Sequence, residues 1–206
     1  MATETTTSRS NEVFVGMDPG QAGAIVALDA RGTLRMAADW RFVQRARRRV
    51  VEMRIHRPGL PPRIMRPARL AMVAPHFCAA MEAAGLQPVS LACEDAYLGR
   101  NPRTVIVVAR ASGMLMGPME ALLKLDTRWV RAADWRNIVL GLPPATKREV
   151  AKSASLRLMP ARCPGTGAVL AVAGELDHIT DAAGVAEWSR VTNRNNKCQQ
   201  EENRKQ

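Results

Sequence analysis

The sequence is poor in aromatic residues and in paired cysteines. Phe, Trp and Tyr make up 4% of the 206 residues, so a packed core has to rest mainly on aliphatic side chains. No apolar run approaches the length of a membrane span, and the polar residues 1–11 lack the apolar core of a signal peptide. The cysteines are widely spaced without a CxxC pair, which gives no sign of a zinc site or a disulfide framework: Cys78, Cys93, Cys163 and Cys198. These absences predict a protein of the reducing cytoplasm without a membrane partner.

Acidic residues are also scarce, because 19 Asp and Glu face 30 Lys and Arg, which gives a net charge of +11. The excess is concentrated in residues 41–69, which hold ten Arg, no Lys and one acid. This balance indicates a polyanionic partner, most often nucleic acid, and Arg suits phosphate because it binds in a bidentate manner. The alternative is the Arg bias of a GC-rich genome combined with a solvated loop.

Apolar runs, turns and helical periodicity predict one α/β domain over residues 12–190, with a mixed sheet. Strands are expected at 12–18, 24–29, 33–40, 88–93 and 126–132, and helices at 69–84, 103–123, 146–158 and 177–190. Residues 165–174 are expected to be irregular or a short strand. The first half of the basic segment 41–69 could form a helix, whereas the prolines of its second half exclude one. The polar ends are expected to be a disordered leader and a disordered tail, at 1–11 and 191–206.

Three acids lie where an apolar element meets polar sequence. Asp18 and Glu94 each end an apolar strand, and Asp181 lies in the last helix among small apolar residues. Each alone could be a turn residue or a helix cap. Together they suggest a site for Mg²⁺ or Mn²⁺, because converging carboxylates need cations to stay ionised. His178 and Asp177 both share a helical face with Asp181, so either side chain could be the fourth member.

Taken in order, these motifs resemble the RuvC family of Holliday-junction resolvases, within the RNase H-like superfamily. The Asp-Pro-Gly at Asp18 is similar to the family's first acid, and Glu94 is followed three residues later by an aromatic, Tyr97. Three further motifs match. Residues 109–113 resemble a helix of small residues, and residues 136–141 with Lys147 resemble a basic residue followed by a strand, a Gly and a downstream Lys. Residues 178–183 match a final His-x-x-Asp-Ala. The match covers residues 12–190. The long interval between Asp18 and Glu94, filled by the basic segment, indicates a divergent member of phage type, in the host cytoplasm if phage-encoded.

The resemblance implies a fold and a set of roles. The fold would be α/β and RNase H-like (RuvC-like), a mixed five-stranded sheet flanked by helices. Two Mg²⁺ ions per active site, with Mn²⁺ as the alternative, would be held by four catalytic side chains: Asp18, Glu94, His178 and Asp181. Lys147, also catalytic, would support the charge that develops at the scissile phosphate. Tyr97 would stack on a base at the crossover. Phosphates would be bound by other polar side chains: Arg100, Asn101, Arg103 and Arg136, with Arg47, Arg48 and Arg49 in the basic insert. The structural alternatives are a half-buried core aromatic for Tyr97 and a solvated first-turn residue for Lys147.

The resulting hypothesis is a Mg²⁺-dependent, structure-selective endonuclease that resolves Holliday junctions or related branched DNA by paired symmetric nicks. Paired nicks imply a homodimer with twofold symmetry, and the Met-rich helix 103–123 could supply its interface or pack on the sheet as core. Two alternatives stay open: a non-catalytic branched-DNA-binding protein on a nuclease fold, and an RNase H-like ribonuclease. The basic insert 41–69 is predicted to hold the arms of branched DNA beside the acidic site.

Overall fold

The structure is a computed structural model that describes residues 11–20, 22–46, 48–95, 102–174 and 177–203. The predicted leader lies outside these residues, apart from residue 11. The described part contains seven strands: β1 (Glu12–Asp18), β2 (Gly23–Asp29), β3 (Leu34–Arg45), β4 (Arg48–His56), β5 (Arg63–Met65), β6 (Gln87–Glu94) and β7 (Thr127–Val130). It also contains six α-helices: α1 (Val73–Ala83), α2 (Pro102–Leu123), α3 (Ala132–Leu140), α4 (Arg148–Arg162), α5 (Thr166–Ala173) and α6 (Asp177–Asn203).

The strands form one mixed sheet in the order β5-β4-β3-β2-β1-β6-β7. The pairs from β5 through β1 are antiparallel, whereas β1 pairs with β6, and β6 with β7, in parallel. The five strands β3-β2-β1-β6-β7 confirm the predicted mixed α/β sheet. The expected total of five strands is corrected to seven, because the basic segment adds β4 and β5 at one edge.

The basic segment forms strands rather than the helix considered for its first half. In β4, Val51, Met53 and Ile55 are buried in the core, and they alternate with Glu52 and Arg54 on the opposite face. This period of two residues is that of a strand with one apolar face. The apolar residues therefore fix the register of the arm, and the charged residues share its other face.

Helices cover both faces of the sheet, as expected. α1 and α2 pack over the core cluster that contains Val15, Ile25 and Met53. α3, α4, α5 and α6 pack over the other cluster, around Val26 and Ala92.

Two short helices replace expected strands. Residues 138–140 belong to α3, which buries Trp135 and Val139 at helical spacing and ends at Gly141, a left-handed residue with φ of 68°. Residues 166–173 form α5 rather than an irregular segment or strand. An apolar run of eight residues fits a buried helix or a buried strand equally well by periodicity, so tertiary packing decides.

The last helix is longer than expected, since α6 continues to Asn203 where a disordered tail was expected from residue 191. The first turn beyond residue 190 is held by the guanidinium of Arg128, which donates to Thr192 Oγ1 at 3.0 Å and Asn193 Oδ1 at 2.9 Å. Arg128 also lies over the ring of Trp188, 4.7 Å from its centroid. These contacts attach the polar residues just beyond 190 to β7.

By length and composition, residues Val105–Leu123 of α2 are apolar enough to cross a membrane. This corrects the expectation that no apolar run approaches a span in length. One side of the helix, including Leu115, Met116 and Met119, is buried in the core beside α1. The helix thus packs on the sheet, while Met114 on its other side is exposed.

Candidate active site

Two of the predicted acids lie side by side at the centre of the sheet. β1 and β6 are parallel neighbours, and Met17 is in register with Cys93. Asp18 and Glu94 are the next residues along each strand and the last of each. Because the carboxyl ends of parallel strands meet at one edge, both carboxylates belong to the same end of the sheet.

Helix α6 crosses β1 closely because a glycine lies beneath it. A Cβ on Gly16 would lie 2.2 Å from Ala186 N and 2.4 Å from Ala182 O, which no side chain can occupy. This approach brings the first turns of α6 to the strand ends. His178 Nδ1 lies 2.8 Å from Asp18 Oδ2, so the structure brings His178 to the first acid.

The turn that follows Asp18 is fixed by a buried tryptophan. Trp40 Nε1 donates to the carbonyl oxygen of Gly20 at 3.2 Å. A Cβ on Gly23 would lie 2.4 Å from Asp18 O and 2.6 Å from Trp40 Cζ2, so glycine is required for this packing. The Asp-Pro-Gly turn is therefore held against the sheet.

Helix α3 supplies two side chains to the site, of which the sequence analysis identified only one. Trp135 is fully buried and donates from Nε1 to Glu94 Oε2 at 2.8 Å. The next residue, Arg136, donates to Asp181 Oδ2 at 3.2 Å, and its guanidinium lies 5.0 Å from the Trp135 ring centroid. Arg136, predicted to bind phosphate, thus pairs with a site carboxylate. Trp135 was not predicted, because its contact with Glu94 depends on how α3 packs against the sheet.

Burial and mutual repulsion perturb the carboxyl groups of this site. Burial, followed by the charges of Asp18 and Asp181, raises the pKa of Glu94 to about 8. Burial and the charge of Asp18 raise the pKa of Asp181 to about 6, against the opposing effect of Arg136. The hydrogen bond with Asp18 raises the pKa of His178. The acids are therefore close enough to oppose one another's ionisation.

The donor set suits a hard divalent cation, although the predicted ligands do not form a closed cluster. Within the described residues, no three His, Cys, Asp or Glu side chains converge as metal ligands. Donors of the protein engage one oxygen each of Asp18, Glu94 and Asp181. Asp181 Oδ1 is buried and has no hydrogen-bond partner in the described part of the chain. Such an orphaned oxygen beside two carboxylates is what a Mg²⁺ site would use.

Helix α4 carries the predicted Lys147 and a second lysine that contacts an acid of α6. Lys147 is exposed at the N-cap of α4. Lys152, in the second turn of the same helix, contacts the Asp177 carboxylate. Burial acts to raise the pKa of Asp177, but the hydrogen bond with Lys152 and the charges of His178 and Lys152 lower it overall. Asp177 Oδ1 lies 3.7 Å from His178 Nε2. Sequence alone gave no reason to prefer Lys152, because the choice depends on how α4 meets α6.

The predicted DNA-binding residues fall into three groups. Arg103 is exposed in the first turn of α2. Arg48 and Arg49 are both exposed at the start of β4, and the guanidinium of Arg49 lies 4.8 Å from the Phe42 ring centroid. Arg136 pairs with Asp181, as described above, and the remaining four lie outside the described residues: Arg47, Tyr97, Arg100 and Asn101.

No protein-family model matches the sequence, and no curated protein matches it. The fold is similar to that of RuvC from T. thermophilus in complex with a Holliday junction substrate, with a TM-score of 0.55 and 14% sequence identity, over 89% of this chain and 95% of that one. A second Thermus thermophilus RuvC structure gives a TM-score of 0.46 and 12% identity, over 85% and 92% of the two chains. The chain therefore has a RuvC-like fold, at a low sequence identity.

Proposed function

We propose that this protein is a divalent-metal-dependent nuclease that cuts branched DNA, four-way junctions in particular. The observation that carries the proposal is the juxtaposition of Asp18 and Glu94 at parallel strand ends beneath Asp181, with the pKa of Glu94 raised to about 8. Carboxylates that repel one another in a buried site gain free energy from a bound cation. The RuvC-like fold supports a nuclease, and the junction bound to RuvC supports the choice of substrate.

Asp18, Glu94 and Asp181 would hold two Mg²⁺ ions, with His178 as the fourth member of the site and Mn²⁺ as the alternative metal. When bound, such ions activate a water molecule and stabilise the leaving oxygen of a phosphodiester. The chain's own contribution is positioning. Trp135 fixes one oxygen of Glu94, and Asp18 fixes the ring of His178.

The positive side chains would complement the developing charge. Lys152, held by Asp177, and Arg136, held by Asp181, lie within the site and would attract the scissile phosphate. Lys147 is exposed at the N-cap of α4, where its ammonium group could reach the scissile phosphate and support the charge that develops there. Replacing Lys147 with Gln and comparing cleavage at saturating junction with that of wild type would measure that role.

Paired symmetric cleavage would require two sites related by twofold symmetry, so a homodimer is part of the proposal. Light scattering on the free protein and on its junction complex would test this part by mass. A monomer with one site per junction would contradict paired nicking, but it would leave the proposed phosphodiester hydrolysis at a single site unaffected.

The decisive experiment is cleavage of a synthetic four-way junction with Mg²⁺. Wild type should produce two symmetric nicks, and Asp18→Asn, Glu94→Gln and Asp181→Asn should each abolish cleavage while binding persists. An RNA–DNA hybrid of the same length is the comparison substrate. Preferential cleavage of the hybrid would indicate a ribonuclease, and binding without any cleavage would indicate a non-catalytic DNA-binding protein.

A further inference from the structure

The outer part of β3 with β4 and β5, residues 39–65, forms an arm at the edge of the sheet, and its arginines are divided between the two faces. In the antiparallel register, Arg41 faces Glu52, Asp39 faces Arg54 and Arg45 faces Arg48. Residues directly opposite one another project from the same face. These pairs share the face covered by α6 farther along the sheet, since Ala37 of β3 packs in that core.

Other arginines of the arm project to the opposite face. Arg49 is in register with Gln44, and its guanidinium lies over Phe42, which packs against the core beneath α1 and α2. Arg63 of β5 is in register with Ile55, a residue of that same core. The arm therefore has four arginines on the face that carries the active site, and at least two on the other face.

One carboxylate organises the arginines of the active-site face. Glu52 is 8% exposed and pairs with Arg41 at 3.5 Å, Arg45 at 3.4 Å and Arg54 at 3.6 Å. The pKa of Glu52 is lowered by these arginines although burial acts in the opposite direction. Three guanidiniums around one carboxylate leave a net charge of about +2, with Arg41 and Arg45 half exposed.

This basic face is continuous with the active site. A cleft at the start of α6 is lined by Asp39, Arg41 and Arg54 of the arm and by Asp177 and His178 of the helix. His178 is bound to Asp18 on the far side. The arginines thus form a path that begins at the catalytic groups and runs outward along β3 and β4.

We propose that this face of the arm, Arg41, Arg45, Arg48 and Arg54 with Glu52 at its centre, binds the phosphates of a duplex arm next to the cleaved strand. The proposal deepens the proposed function and rests on it for the identity of the substrate. DNA binding, predicted from sequence for the whole insert, is thereby assigned to one face of the sheet. Arg48 lies on that face and Arg49 does not, although both were predicted to bind phosphate. Phosphate is the ligand because exposed guanidiniums held by a shared carboxylate present fixed donors to an anion.

The test compares two charge-matched double variants. Arg41→Gln/Arg45→Gln removes two positive charges from the active-site face and leaves Arg54 paired with Glu52, so no buried carboxylate is stranded. Arg49→Gln/Arg63→Gln removes two charges from the opposite face. Binding to a synthetic four-way junction is measured in Ca²⁺ across a salt series, and unfolding curves establish that both variants fold.

Loss of two phosphate contacts should make the slope of log K against log salt shallower by about 1.8 and weaken binding by up to about 60-fold at 0.1 M salt. The opposite-face variant should keep the wild-type slope. Equal effects of the two variants would overturn the assignment of a face, and an unchanged slope in the active-site-face variant would remove the arm from DNA binding. Either result is distinguishable from failure of the nuclease proposal, which is decided by whether wild type cleaves the junction in Mg²⁺.

Discussion

Replacing Glu94 with Gln should stabilise the metal-free protein while it abolishes cleavage. Glu94 is held between like charges, and burial with the charges of Asp18 and Asp181 raises its pKa to about 8. A neutral amide keeps an oxygen that can accept the hydrogen bond of Trp135 Nε1 but removes the charge. The carboxylate would then be a cost to folding that the protein bears for its function.

The size of the effect follows from the shift in the pKa of Glu94 from 4.5 to about 8. The folded protein keeps this proton up to about pH 8, whereas the unfolded chain loses it near pH 4.5. Stability from this group is therefore complete below the unfolded pKa and is lost as the pH rises through that window. At about 1.4 kcal/mol per pH unit, the loss amounts to about 4 kcal/mol by pH 8, an upper limit.

Urea unfolding in EDTA at several values between pH 4.5 and 8.5 would measure this difference. Glu94→Gln should match wild type at the acid end and exceed it in free energy of unfolding at the alkaline end. Glu82→Gln, at an exposed position on α1, is the control for the general loss of one negative charge. A difference between Glu94→Gln and wild type that does not grow with pH would refute the account of mutual repulsion.

Other perturbations test how the site is held together. Gly16→Ala should force α6 away from β1, lower the free energy of unfolding by at least about 2 kcal/mol and reduce cleavage. Gly117→Ala, where an added Cβ would have open space, should fold as wild type. Thermal melts and nicking assays would measure both variants. Trp135→Phe removes a hydrogen bond that lowers the pKa of Glu94, so the acid limb of the cleavage profile should move to higher pH in rate measurements across a pH series. Lys152→Gln should lower the cleavage rate by a larger factor than it weakens junction binding, as measured by single-turnover cleavage and by binding in Ca²⁺. Binding weakened by at least the same factor as the rate would assign Lys152 to DNA binding.

The centre of the fold was predictable because its signals are local. Each of the strands β1 and β6 is an apolar run that ends in an acid, and a buried strand requires only that pattern. Parallel pairing then places Asp18 beside Glu94 without further information. The His-x-x-Asp spacing on α6 likewise brings His178 and Asp181 to one face of a helix.

The edge of the sheet was harder because charge concealed its periodicity. In β4 the alternation of Val51, Met53 and Ile55 is present in the sequence, but the arginines around it suggested a solvated segment. A strand with one apolar face and one charged face accounts both for the apolar alternation and for the run of arginines. Trp135 and Lys152 could not be assigned from sequence, since their contacts depend on how α3 and α4 pack against the site.

The separation of charge within the sheet explains how a basic protein can keep an acidic site. β4 lies three strands from β1, so the backbones of Arg54 and Asp18 are about 14 Å apart at about 4.8 Å per strand. In the described part of the chain, Arg41, Arg45 and Arg54 pair with Glu52 rather than with Asp18, Glu94 or Asp181, so the arm can attract a polyanion without forming ion pairs with the carboxylates of the site. Arg136 is the guanidinium that does contact a site acid, and even with it the pKa of Asp181 stays raised to about 6. Had the arginines of β4 lain on β2, beside β1, they would have neutralised these carboxylates, and a cation bound there would gain less free energy.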